Sequence, residues 1–230
     1  MADYFLGRRP DPPDPRDHPL SRYLSAVALP SYFYVRPYPT VLDQGQTPQC
    51  VVYSGSASRQ IAERRDEKRT LYWDEANWYA GCKAIDGAPG EDGTDIRSAC
   101  KVAAANGVRV TQSPVPTEIG EYRKVAAYAR LYTLNDIKQA IYAYGAAWLG
   151  SSWYNSWFSP VNGVLPAPDS VAGGHAYLAV GWSDTRKAFR FQNSWGTGWA
   201  QSGRAWLPYA YVDFNDFDCW RTIDLLGDIN

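Results

Sequence analysis

The stretch over residues 51–68 sets small and apolar positions first, Ser54, Gly55, Ser56 and Ala57, then Ile61 and Ala62, and closes on the mixed-sign cluster from Glu63 to Arg69. That order predicts a helix buried against close neighbours along its first turns and solvated at its end. Residues 73–83 also have helical spacing, with Trp73, Ala76, Asn77 and Ala80 on one side, and Asp74 and Asp86 are both candidate caps. A glycine- and proline-rich loop follows over residues 85–94. Residues 95–106 predict a third helix, ended by the pair Asn106-Gly107, after which residues 108–110 resume as extended chain. Leu134, Ile137, Ile141 and Tyr144 recur at helical intervals and predict a fourth helix over Leu134–Tyr144. Beyond Gly145 the pattern shortens. Residues 146–149, 176–182, 188–193 and 203–207 are short apolar or alternating runs divided by turns, and their close spacing predicts an antiparallel sheet. Helices first and strands after make an α+β chain, a layout that leaves a cleft between two lobes.

The first 40 residues depart from both patterns. Pro10, Pro12, Pro13 and Pro15 exclude a helix and favour extended, polyproline-like chain. Tyr32, Phe33, Tyr34 and Tyr38 argue that the second half of the segment packs on something. The chain thus divides into a strap over residues 1–40 and a single domain over residues 41–230, with a helical lobe over about 41–125 and a β lobe over about 126–230. His18, in the strap, reads as a surface histidine.

Composition narrows the partners. A formal net charge of -1 with no basic stripe excludes nucleic acid as the main one. No apolar run reaches the length of a membrane span and the first residues lack the apolar core of a signal peptide. The expectation is a cytoplasmic protein off the membrane, released if at all by lysis or another non-classical route. The four cysteines, Cys50, Cys82, Cys100 and Cys219, form no C-x-x-C pair, and with only two histidines no metal-ligand spacing emerges. Neither a metal nor a cofactor is expected, and a disulfide framework does not organise the chain.

The candidate chemistry lies in two separate stretches. Cys50 ends the run Q-G-Q-T-P-Q-C directly ahead of the first helix, and Pro48 suits a first helical turn. A sulfur at a helix N-terminus meets unpaired N–H groups that favour negative charge, the setting of a nucleophilic thiol; the alternative is a small, inert, buried cysteine. Gln44, on the approach loop, carries a carboxamide donor that can be held beside the sulfur. His175 heads an apolar strand in G-G-H-A-Y-L-A-V-G-W, and Asn193 lies in F-Q-N-S-W-G-T-G-W. A thiol nucleophile needs a base, and the base needs a third group to fix its ring. Cys50, His175 and Asn193 are of those types, with Trp195 as an apolar cover over the Asn–His bond.

Three blocks, D-Q-G-Q-T-P-Q-C at 43–50, G-G-H-A at 173–176 and Q-N-S-W-G-T-G-W at 192–199, resemble the papain family of cysteine peptidases, and L-P-x-x-x-x-V-R-P ahead of them resembles short bacterial or phage members. The likeness spans about residues 29–208. The interval of about 125 residues from Cys50 to His175 is a little short of the family's roughly 130–150. The resemblance implies a papain-like two-lobe fold and a thiol endopeptidase acting on peptides or proteins. Cys50 would be the nucleophile, His175 the general acid/base and Asn193 its orienting group. The oxyanion hole would combine the Gln44 amide with the Cys50 N–H. It further implies that Gly93 lies in the loop that binds substrate backbone and that Leu149 lines the pocket for the second residue before the scissile bond. Thr47 stands where the family has a disulfide cysteine, Val51 where it has an aromatic, and Gly174 where it has an acidic or polar residue. The strap is too short for the family's helical prodomain, so either latency is absent, the reading preferred here, or the proline-rich strap covers part of the cleft. Two other readings stand beside the endopeptidase: a silent peptide-binding or structural module, and a cell-wall peptide or isopeptide hydrolase whose aromatic segment 148–158 meets a glycan or cross-bridge instead of packing on the sheet.

Overall fold

The computed structural model describes residues 4–224. Its helices are α1 (Cys50–Asp66), α2 (Glu75–Lys83), α3 (Ile96–Ala105) and α4 (Leu134–Tyr144). Its strands are β1 (Tyr32–Tyr34), β2 (Tyr72–Trp73), β3 (Val108–Gln112), β4 (Tyr122–Arg123), β5 (Ala127–Arg130), β6 (Ala147–Tyr154), β7 (Val171–Ser183), β8 (Ala188–Gln192), β9 (Arg204–Pro208) and β10 (Asp218–Ile223). The architecture is α+β in two lobes. β2, β3 and β4 form a small sheet beside α2 and α3, whereas β5-β10-β6-β7-β8-β9 run antiparallel in the large one.

Local chemistry sets most helix boundaries. Asp95 accepts the Ser98 N–H at 2.7 Å and Thr133 accepts the Asp136 N–H at 3.0 Å, so α3 and α4 each begin on a side-chain cap. Gly145, at φ 88°, closes α4 in the left-handed conformation that glycine tolerates best. Of the two candidate caps, Asp74 opens α2 by accepting the Asn77 N–H at 3.0 Å, while Asp86 pairs with Lys83 and Arg9. Trp73 belongs to β2 and not to the helix, because its backbone pairs with Val110. α1 starts two residues after Pro48, capped by neither side chain of its N-terminal loop.

α1 is the central element, buried on nearly all sides over its first fourteen residues and packed on β6 and β7. A Cβ on Gly55 would lie 2.6 Å from both Trp78 and Trp148, so the small residues early in α1 make room for tryptophan rings from each side. Trp148 also donates its indole N–H to Ser54 Oγ at 2.7 Å. Trp148, Trp153 and Trp157 are all buried, so the aromatic segment packs within the β lobe rather than presenting a ligand face. β1 takes the end of β7 that β6 does not reach, pairing Tyr32–Tyr34 with Gly181, Trp182 and Ser183. That contact is what the aromatic half of the strap packs on. Cys82, Cys100 and Cys219 are free and buried. No helix among the described residues is long and apolar enough to cross a membrane.

Candidate active site

Cys50 is the first residue of α1, and β7 runs past it. The N–H groups of Ala176, Gly7 and Val51 face its sulfur, which puts the sulfur one residue along β7 from His175. His175 Nε2 lies 2.7 Å from Asn193 Oδ1, and that oxygen also accepts the Ser194 N–H at 2.8 Å. An oxygen already facing one N–H donor selects the imidazole tautomer with hydrogen on Nε2, leaving Nδ1 as a lone pair. Nδ1 is buried and has no hydrogen-bond partner. The ring is held between Trp195, stacked at 4.4 Å, and Trp153, edge-on at 4.9 Å. Two tryptophans against one imidazole keep water from the Asn193 bond.

Both reactive groups rest uncharged. Burial pushes the Cys50 thiol up to about 12, against the lowering effect of the three N–H groups. Burial likewise pulls His175 down to about 3, outweighing the Asn193 bond that favours the imidazolium. Part of the cover over the sulfur comes from the strap, whose Gly7 N–H faces it.

Residues 4–9 run along the cleft. Tyr4 stacks on Trp195 at 4.6 Å, and the Phe5 carbonyl accepts both the Gln44 side-chain amide and the Trp195 indole N–H at 3.2 Å. Gly7 and Arg8 both donate to the Gly174 carbonyl, at 3.1 and 2.9 Å. On the opposite wall Thr94 donates to the Gly7 carbonyl at 2.9 Å, and Arg9 donates to the Thr94 carbonyl at 2.8 Å. The strap presents the Gly7 N–H to the Cys50 sulfur, and its Phe5 and Gly7 carbonyls are bound elsewhere.

Three glycines make this passage possible. A Cβ on Gly7 would lie 2.1 Å from the Pro48 carbonyl oxygen. One on Gly93 would lie 2.2 Å from that of Gly7, and one on Gly174 would lie 2.0 Å from that of Arg8. Gly174, which stands where the resemblance leads one to expect an acidic or polar residue, is therefore the residue that lets the strap backbone lie against β7. Of the two readings of the strap, the structure favours the one in which it covers part of the cleft: it is short, but it reaches the thiol without helices.

Other predicted positions fall as follows. Gln44 is buried, donates to the Thr47 carbonyl at 2.7 Å and accepts from Ser194 Oγ at 2.6 Å, so its amide is fixed from both ends. Gly93 lines the cleft, but the residue that pairs with extended chain there is its neighbour Thr94, through backbone groups that any side chain leaves available. Leu149 is buried without facing the cleft, a correction. Trp148 meets α1 and Gly150 meets Ile96 and Arg8, and successive strand residues alternate faces, so Leu149 points to the other side. Gly150 is the position that faces the cleft, one residue on. Asp218, on β10, reaches the cleft and its Arg8, a role without a local signal in the sequence D-C-W-R-T-I.

No protein-family model matches the chain. Among curated proteins it is similar to an uncharacterised peptidase C1-like protein of Acanthamoeba polyphaga mimivirus, 28% identical over 201 residues, with 74% of this chain covered. The match spans 65% of that relative's length. Among solved structures, xylellain, a cysteine protease from Xylella fastidiosa, superposes with a TM-score of 0.83 at 25% identity, covering 96% of each chain. The procathepsin B S9 of Trypanosoma congolense gives 0.73 at 16% identity over 87% of this chain and 79% of its own. The Carica candamarcensis cysteine protease CMS1MS2 gives 0.68 at 17% over 85% of this chain and 99% of its own; these last two likenesses concern the fold alone. The chain resembles the papain-type cysteine proteases, and its likenesses support a cysteine-type peptidase.

Proposed function

We propose that the chain is a thiol-dependent endopeptidase, held closed by its own N-terminal segment. In the reading the geometry supports best, the strap leaves the cleft and water and substrate enter. Losing the dry cover brings the thiol down and the imidazole up, so the proton passes from Cys50 to His175 Nδ1. The thiolate attacks a peptide carbonyl carbon, and the oxyanion is met by the Gln44 amide and the Cys50 N–H. His175 then protonates the leaving amine, and water activated by the same imidazole releases the acyl group. Asn193 holds the ring throughout.

The observation that carries the reading is the His175–Asn193 pair, its Nδ1 lone pair unclaimed in a buried site one residue along β7 from the Cys50 sulfur. A peptide-binding module has no need of an imidazole fixed in that tautomer. Peptides are the favoured substrates because the walls of the cleft already pair with extended chain, through Gly174 and Thr94.

The test is alkylation by the epoxide inhibitor E-64, followed by intact mass, on the full chain and on Gly7→Ala, Cys50→Ala and His175→Ala. A single adduct is expected on Gly7→Ala, slower on the unmodified chain and absent from Cys50→Ala. Adding His175→Ala to Gly7→Ala should slow it by about a hundredfold or more, the range of a general base. A folded Gly7→Ala chain that takes no adduct and cleaves no peptide would return the silent binding module to first place.

A further inference from the structure

Arg8 is almost fully buried although it belongs to a terminal segment. Its side chain enters a pocket beside the catalytic cysteine, running past Ile96 and the bare face of Gly150. A Cβ at Gly150 would lie 2.8 Å from Ile96, 3.1 Å from Arg8 Cγ and 3.2 Å from Arg8 Nε, so the missing side chain keeps the pocket open. At the inner end the guanidinium pairs with the Asp218 carboxylate and donates to the Asp216 carbonyl at 2.8 Å, with the Asp216 carboxylate 3.7 Å away. Ser152 fixes that second carboxylate through its N–H and hydroxyl, both at 2.9 Å. The inner wall belongs to α3, β6, β10 and the turn before it; the strap supplies the occupant and, through Asp11, whose N–H donates to Asp218 at 2.8 Å, part of the rim.

We infer that this pocket takes a basic side chain of the substrate, arginine before lysine, and that Asp218 is the residue that selects it. The inference rests on the peptidase reading for the word substrate, but the pocket itself does not. When the strap leaves it removes Arg8 together with Asp11 and Asp17, the partners of Arg130 and Arg97. What remains at the pocket is Asp216 and Asp218 against Arg130, whose guanidinium engages the far oxygen of Asp218 at 2.7 Å. Arg97 lies over Trp220 at the edge of the same pocket and gives up Asp17 and the Pro12 carbonyl with the strap, but no hydrogen bond joins it to Asp218. The near Asp218 oxygen is left facing an open slot. An apolar side chain entering there would bury that oxygen without a donor, the arrangement most strongly disfavoured in a protein interior. A guanidinium satisfies the carboxylate and the Asp216 carbonyl from one planar group, which a single ammonium does less well.

Equilibrium binding tests this without turnover. The full chain carrying Cys50→Ala and Arg8→Ala is titrated with acetylated hexapeptides identical except for one residue, which is arginine, lysine, citrulline or leucine. The arginine peptide is expected to bind at least about tenfold more tightly than the citrulline and leucine peptides, because a site with a buried acceptor rejects a ligand that cannot serve it. Lysine should fall between, and Asp218→Asn should bring the arginine-to-leucine ratio toward one. Citrulline keeps the test sound if Asp218→Asn fails to fold, since it removes the charge from the ligand and leaves the protein intact. Equal binding of all four peptides, or binding of none, overturns the inference. Turnover is then read on the same chain with Cys50 restored. An arginine preference in binding without cleavage keeps the pocket and sinks the peptidase; cleavage without a basic preference does the reverse.

Discussion

The cleft holds two buried polar groups side by side, and they solve burial in opposite ways. Cys50 and His175 are dry and neutral, because burial disfavours their charged forms and outweighs the hydrogen bonds beside them. Arg8 and Asp218 are just as dry and remain an ion pair, with Arg130 and the Asp11 N–H closing the remaining bonds of the carboxylate. One segment touches both: the Gly7 N–H faces the sulfur while the next residue fills the pocket. Reactivity and occupancy are thus set by the same few residues of chain, and moving them should change both together.

The largest effect should come from Gly7→Ala, whose new methyl cannot coexist with the Pro48 carbonyl 2.1 Å away. At neutral pH a thiol with a pKa of about 12 is ionised to roughly one part in 10⁵, whereas an unperturbed one is ionised to a few parts in a hundred. The rate of alkylation by iodoacetamide should therefore rise by about a hundredfold or more at pH 7. Its pH midpoint should fall well below that of the unmodified chain. An unchanged pH profile in the variant would show that the strap is not what keeps the thiol neutral.

Gln44→Ala should separate the two halves of the comparison. Its amide donates to Phe5 in the covered state and would donate to the oxyanion in the reaction. Peptide turnover, measured in the Gly7→Ala background, should drop by about a hundredfold, as for loss of an oxyanion donor. Thiol alkylation of the otherwise unmodified chain should rise instead, because the strap loses an anchor. Parallel movement of the two readouts would place Gln44 in a purely structural role.

Much of this was legible in the sequence. The small residues of α1 and the helical intervals of Leu134, Ile137, Ile141 and Tyr144 announced their elements, and the thiol, imidazole and carboxamide stood in recognisable surroundings. What stayed hidden depended on partners far away in the chain. Asp218–Ile223 carries no alternation because its polar residues are buried and paired: Asp218 meets Arg8 and Arg130, and Arg221 donates to Ser58 Oγ at 2.7 Å. The strap reads as solvated polyproline for the same reason, since Arg8, Asp11 and Asp17 find opposite charges only on β10, β5 and α3. The cleft-facing position on β6 was missed by one residue. A shift of one residue exchanges the faces of a strand, and the apolar Leu149 looked more like a pocket wall than the glycine beside it.

A smaller effect follows from the neutral imidazole. The native His175 refuses a proton that the unfolded chain binds below about pH 6.5, its ordinary value. Stability is therefore intact above pH 6.5 and is lost as the pH falls from there toward 3. The thermal midpoint should fall between pH 7 and pH 4.5, and it should fall less in His175→Gln, which has no proton to gain. Equal losses in the two proteins would assign the acid sensitivity to other groups.

The smallest effect tests whether the strap is special or whether any destabilisation opens the cleft. Asp74→Ala removes the cap of α2, an element of the helical lobe, where the carboxylate accepts from the Asn77 N–H and Arg109. Loss of an N-cap costs about 1 kcal/mol, which a urea titration resolves as a lower midpoint with an unchanged slope. Alkylation of Cys50 at pH 7 should stay within about twofold of the unmodified chain, because the bonds at Gly174 and Thr94 are untouched and the covered state is local to them. If so mild a change at α2 raised alkylation as far as Gly7→Ala does, the neutral thiol would belong to the stability of the whole domain. If it does not, the cover over the thiol belongs to six residues of strap and not to the stability of the domain beneath them.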